Sequence, residues 1–233
     1  MILTSFSVTL QEAVSDPDQK HLQGNIKDFK QLLQPETLAH LEEALPGPYA
    51  FLAFHPAGDK AVMSYIRQDT LGDDTGPDIL CLFTLQVDAR EPISLQGNDW
   101  DKIIELRGES NPSGSMLRIL FAPDAPPVMP GLVLFRSFLR EEPVVYASLA
   151  DCPDASSVQQ RIRTLFNLAA TAGKQARVDK PNSFADKVAA QLQHNKFPYT
   201  RTGSKSMKEW FIKAYQVAWD LRSDILTVAG LFV

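Results

Sequence analysis

Between residues 204 and 229 apolar side chains recur at alternating steps of four and three: Met207, Phe211, Ala214, Ala218, Leu221, Ile225 and Val228. A repeat averaging about 3.5 residues is the spacing of a helix that lies lengthwise on a neighbouring helix. Trp210 and Val217 widen the stripe on one side, and Tyr215 and Trp219 fall off it. A second apolar flank marks a bundle member rather than an isolated zipper. Gly230 stands where a left-handed C-terminal cap is expected. The segment is therefore read as a long helix closing a bundle, with the intermolecular alternative of a homo-oligomer joined through this helix.

Proline limits where the other helices can lie. Fourteen of the 16 prolines precede residue 154, and only Pro181 and Pro198 follow. Charge divides at nearly the same point. Residues 1–150 carry 11 Lys+Arg against 21 Asp+Glu, a balance of −10, and residues 151–233 carry 12 against 7, a balance of +5. Two parts follow from this division: an acidic α+β sheet domain over 1–153 and a basic helical domain over 154–233, packed on the first. A hydrophobic fraction of 44% suffices to bury a core.

Within the first part, alternation over 2–10 reads as a strand and the spacing over 16–45 as helix, with Pro35 opening a second helix. Residues 49–54 are apolar on both faces, as in a buried central strand. The turn-forming run 55–60 then predicts a hairpin, with 61–66 returning as a strand. Residues 79–87 give another strand, and 99–106 a short helix capped by Asn98. Segments 116–122, 132–138 and 144–149 complete a mixed, mainly antiparallel sheet of about seven strands with helices on one face. In the second part, Asp154 or Ser156 caps a helix whose buried face is Val158, Ile162, Leu165, Phe166 and Ala169. Ser183 to Asp186 resembles a capping box, and 196–204 reads as a linker before the heptad helix. The resulting fold class is α+β ending in a three-helix segment.

Chemistry-bearing motifs are sparse. Cys81 alternates with Ile79 and Phe83 and belongs to a core. Cys152 sits before a helix start, where a helix dipole lowers a thiol pKa, so a cysteine-dependent hydrolase is one functional class to test. Four carboxylates between Asp69 and Asp78 invite a hard cation, but their spacing is not that of an EF-hand loop. The chain has no Cys-x-x-Cys, His-Glu-x-x-His, P-loop ending or Gly-x-Ser-x-Gly elbow, and no cofactor is expected.

The basic segment 174–213 carries nine Lys and Arg against Asp179, Asp186 and Glu209, with Phe197, Tyr199 and Trp210 interleaved. The leading expectation is a non-enzymatic protein-interaction module, such as an adaptor, inhibitor or assembly subunit. It offers its C-terminal helices, and exposed strand edges, to a protein partner. Trp210, Lys213, Tyr215 and Trp219 are its contact candidates. The alternative is a nucleic-acid-binding accessory using Lys196, Tyr199, Arg201, Lys205 and Lys208, where cations meet phosphates and aromatics meet bases. Two cysteines, no spanning run and no signal-peptide pattern at the N-terminus point to a cytoplasmic protein without a membrane role.

Overall fold

The computed structural model describes residues 2–3, 34–44, 47–55, 58–68, 70–75, 78–86, 112–121, 126–176, 183–220 and 226–228. In chain order these form β1 (Ile2–Leu3), α1 (Pro35–Ala44), β2 (Tyr49–Ala53), α2 (Lys60–Ile66), α3 (Leu71–Thr75), β3 (Leu80–Gln86), α4 (Pro112–Leu120), β4 (Gly131–Phe135), β5 (Glu141–Ser148), α5 (Ala155–Gln175), α6 (Ser183–His194), β6 (Tyr199–Ser206), α7 (Met207–Asp220) and β7 (Leu226–Val228).

The body of the sheet is five strands of five to eight residues in the order β3-β2-β4-β5-β6. β2 and β3 run parallel, and the remaining pairs in this body are antiparallel. On the outer edge of β3, β1 pairs in parallel at Leu80 and Cys81, and β7 pairs antiparallel at Thr84 to Gln86.

The α+β class holds, but the layering differs from expectation because the central strands are apolar on both faces. Every residue of β2 and β4 is buried. On one face Ala50, Leu52, Cys81, Phe83, Leu132, Leu134, Val145 and Ala147 pack against α2, α3, α5 and α6. The alternate residues Tyr49, Phe51, Leu80, Leu82, Val133, Phe135, Val144 and Tyr146 pack against α1, α4 and α7. A sheet with two apolar faces needs cover on both, so helices lie on both sides rather than one.

Two expected strands are helices for related reasons. Parallel strands cannot be joined by a hairpin. Residues 61–66 therefore belong to the crossover between β2 and β3, where α2 buries Val62, Met63, Tyr65 and Ile66. Residues 116–120 lie in α4, which buries Met116, Leu117 and Leu120 at helical spacing. The expected helix 99–106 lies outside the described residues.

The C-terminal part keeps two of its three expected helices in place. Asp154 caps α5: its carboxylate accepts from Ser157 N at 2.8 Å, and Ser157 Oγ accepts from Asp154 N at 3.1 Å. α6 begins at Ser183. The expected linker is instead β6, so residues 199–206 are part of the sheet and the division at 153/154 does not separate sheet from helix. The heptad helix is shorter than its pattern. α7 ends at Asp220, and Val228 lies in β7. Leu221, Ile225 and Gly230 lie outside the described residues. Among the described residues no helix is long and apolar enough to cross a membrane.

Candidate functional site at the sheet edge

Of the four contact candidates on α7, Trp210 is corrected. It is 3% exposed and packs between sheet and α4, its indole Nε1 donating to Met116 O at 2.6 Å. Lys213 is exposed. Tyr215 and Trp219 lie on the backbone of α7, and their side chains fall outside the described residues. Met207 and Phe211, the first two seam positions, are buried against Phe51, Phe138 and their neighbours.

Cys152 stands before α5 as expected, but its surroundings oppose activation. Burial pushes its thiol above the usual value; Arg161 works against this, while Asp151 and Asp154 reinforce it. The same carboxylate that caps the helix offsets the dipole that would otherwise favour a thiolate. Cys81 is fully buried, and burial likewise pushes its thiol up.

Two carboxylates of the acidic stretch before β3, Asp74 and Asp78, are held by protein cations, and Asp69 lies outside the described residues. Asp74 accepts from Tyr65 Oη at 2.6 Å and Gln159 Nε2 at 3.1 Å, and forms an ion pair with Arg163. Asp78 pairs with Lys174 at 2.6 Å. Among the described residues no cluster of three or more His, Cys, Asp or Glu is arranged to hold a metal ion.

By contrast, the five residues of the nucleic-acid alternative come together along one element. Tyr199, Arg201 and Lys205 lie in β6, Lys196 in the turn before it and Lys208 in the first turn of α7. β6 ends the strand order, and six of its eight residues are exposed. Among the described residues no strand pairs with its outer side. Ser206 joins it to α7 by accepting from Glu209 N at 3.2 Å.

Local chemistry explains how the strand is presented. α6 ends with Phe197 N donating to Leu192 O at 2.9 Å and Lys196 N donating to Gln193 O at 3.1 Å. This two-bond closure needs a left-handed residue, usually glycine. Here Lys196 takes that place with φ of 55°, so a cation is held at the head of β6 at a conformational cost. Arg161 fixes the same turn from below, its guanidinium 4.1 Å above the Phe197 ring and 3.0 Å from Asp151.

The register of β6 then sets where its cations point. Val145 pairs with Arg201, yet Pro143 pairs with Ser204, so β6 carries one extra residue at Thr202–Gly203. Thr202 Oγ1 accepts from Val144 N at 3.0 Å in place of a ladder carbonyl. Arg201 and Lys205 are four apart and would share a face in a regular strand. The bulge separates them. Arg201 shares the face of Val145 and meets Asp186 of α6 at 2.6 Å, whereas Lys205 lies opposite Glu142, on the face of Val144 and α7. Cations thus flank the open edge on both faces. The cluster was legible as composition, but the edge was not. The signal available was the β-favouring Tyr199, Thr200 and Thr202 after Pro198.

Glu142, opposite Lys205 in the register, is 6% exposed. Burial raises its pKa, Arg136 and Arg140 lower it, and Glu42 raises it, with a net upward shift. The folded chain therefore holds this proton to higher pH than the unfolded chain does. Its effect on stability is favourable at low pH and is lost as pH rises through the folded value. Glu142→Gln is expected to melt at a higher temperature than the parent at neutral pH. The difference should close as pH falls toward the ordinary glutamate value of 4.5. Thermal melts across that range measure it, and a constant difference would remove the burial explanation.

Compared with protein-family models, curated proteins and solved structures, the chain finds no match.

Proposed function

We propose that this chain is a non-enzymatic protein-interaction module, an adaptor, inhibitor or assembly subunit, whose contact element is the β6 edge with its flanking cations. The observation that carries this reading is an eight-residue edge strand, exposed along most of its length and without a neighbouring strand among the described residues. An open edge offers a row of unpaired N–H and C=O groups, and proteins recruit extended partners through such rows. The reading departs from contact through the apolar seam of α7, because Met207, Trp210 and Phe211 are spent on the core. The free thiols Cys81 and Cys152 accord with a cytoplasmic location.

The experiment is capture from native lysate with the parent chain, Lys205→Glu/Lys208→Glu and Lys196→Gly. The charge reversal is expected to lose partners that the parent retains. Lys196→Gly relieves a left-handed lysine and is expected to gain about 0.5–1 kcal/mol of stability while capturing less. If both variants retain the parent's partners, the edge is not the contact element.

A second reading, nucleic-acid binding, is favoured by one observation: Tyr199 is 37% exposed beside the same cations. A cationic strand with an accessible ring suits single strands. Such binding falls steeply with salt, so retention of the captured partners at high salt decides against it.

A further inference from the structure

We infer that the occupant of the β6 edge is an acidic, extended segment of a protein partner, added to the sheet as its next strand. This rests on the proposed use of the edge and names what fits it.

Three observations converge on this occupant. The first is charge. Residues 196–213 carry Lys196, Arg201, Lys205, Lys208 and Lys213 against Glu209 alone, and the bulge sets Arg201 and Lys205 on opposite faces of the strand; Arg201 already holds Asp186 through Nη1, and the rest of its guanidinium has donors for a second carboxylate. A partner strand places successive side chains on alternate faces, so a segment with carboxylates on both faces meets a cation on each. Like charges directly opposite are destabilising. A second copy of β6 would set Arg and Lys against Arg and Lys, which disfavours self-pairing.

The second observation is backbone direction. Ser148 N donates to Pro198 O at 3.0 Å, and the register continues as Ala147–Tyr199, Tyr146–Thr200 and Val145–Arg201. Antiparallel pairs alternate between bonded and non-bonded. Ser148–Pro198 is bonded, so Tyr146–Thr200 is the next bonded pair. Tyr199 and Arg201 then turn their N–H and C=O groups away from β5, toward the open edge.

The third is space. A Cβ built on Gly203 meets nothing within 4 Å, so the middle of the strand is clear on its own face. Eight residues at about 3.3 Å each give an edge of roughly 26 Å, the length of a short peptide segment.

The test uses the full chain and a rhodamine-labelled octapeptide of the repeat Glu-Glu-Val-Val, which as a strand carries carboxylates on both faces. Its controls are the lysine–valine counterpart, the glutamate peptide N-methylated at every residue, and a labelled oligothymidine. Saturable anisotropy is expected with the acidic peptide only. N-methylation, which removes ladder donors while keeping charge, should abolish it, and Lys205→Glu/Lys208→Glu should weaken it at least about fivefold. Amide exchange should slow at Tyr199 and Arg201 on binding, with Thr200 already protected in the free chain.

Equal binding of the methylated peptide would overturn strand addition. Binding of oligothymidine in preference to the acidic peptide would overturn the partner class. If no peptide binds while Lys205→Glu/Lys208→Glu still loses lysate partners, the acidic strand is wrong and the edge contact stands. If that variant loses none, both fall.

Discussion

Trp210→Ala is expected to lower stability by about 3–5 kcal/mol, most of the margin of a protein at the weak end of the usual range. The indole lies edge-on to Phe51 with centroids 5.2 Å apart and planes at 89°, and tilted against Phe211 at 4.7 Å. Its Nε1 donates to Met116 O at 2.6 Å, which ties α7 to α4. Alanine would remove the ring, open a cavity against β2 and α4 and delete the hydrogen bond together. Trp210→Phe keeps most of the packing and loses the donor, so it should cost about 1 kcal/mol. Denaturant unfolding of the two variants measures both. A tryptophan serving as an exposed contact anchor would behave differently: partner capture would fall and unfolding would be unchanged. Loss of stability in Trp210→Ala therefore also tests why the α7 seam is not the contact face.

Much of the architecture is readable from local pattern, and the two expected strands that are helices share one cause. α5 is long, amphipathic and capped by Asp154, and α6 is amphipathic with its apolar face buried, so local signals agree, and the start of α1 at Pro35 follows from proline chemistry alone. The short runs 61–66 and 116–122 are apolar stretches whose period does not tell helix from buried strand. What decides 61–66 is the parallel pairing of β2 with β3, a contact between residues about thirty apart in sequence. The apolar faces of residues 49–54 were visible, but one-sided cover did not account for them. The heptad pattern misled differently. Its first positions are true core contacts, yet the pattern continues past Asp220 to Val228, which pairs with Thr84 as strand. At the candidate site the cations were legible as a cluster. Their separation onto two faces was not, because it depends on one extra residue in the register between β5 and β6.

Asp74→Ala is the other change expected to be severe, at about 2–4 kcal/mol. The Asp74 side chain is 1% exposed and is held by groups from two other helices: Tyr65 Oη from α2, and Gln159 Nε2 and the Arg163 guanidinium from α5. It thereby fixes the crossover between β2 and β3 against the helix that covers it. The cost divides unequally among the stranded partners. Arg163 is 56% exposed and regains water when its carboxylate goes, so little of the penalty falls there. Tyr65 is fully buried, and its hydroxyl would lose a strong acceptor inside the core. Burial, together with the hydrogen bond to Asp74, already pushes that phenol far above its ordinary pKa, so the proton stays and still needs an acceptor. Asp74→Asn keeps an oxygen for Tyr65 and should recover at least half of the loss. Tyr65→Phe in the Asp74→Ala background removes the orphaned hydroxyl and should restore stability relative to Asp74→Ala alone. If the double variant is no more stable than the single, the buried hydroxyl is not where the penalty lies, and the carboxylate acts through Arg163 instead.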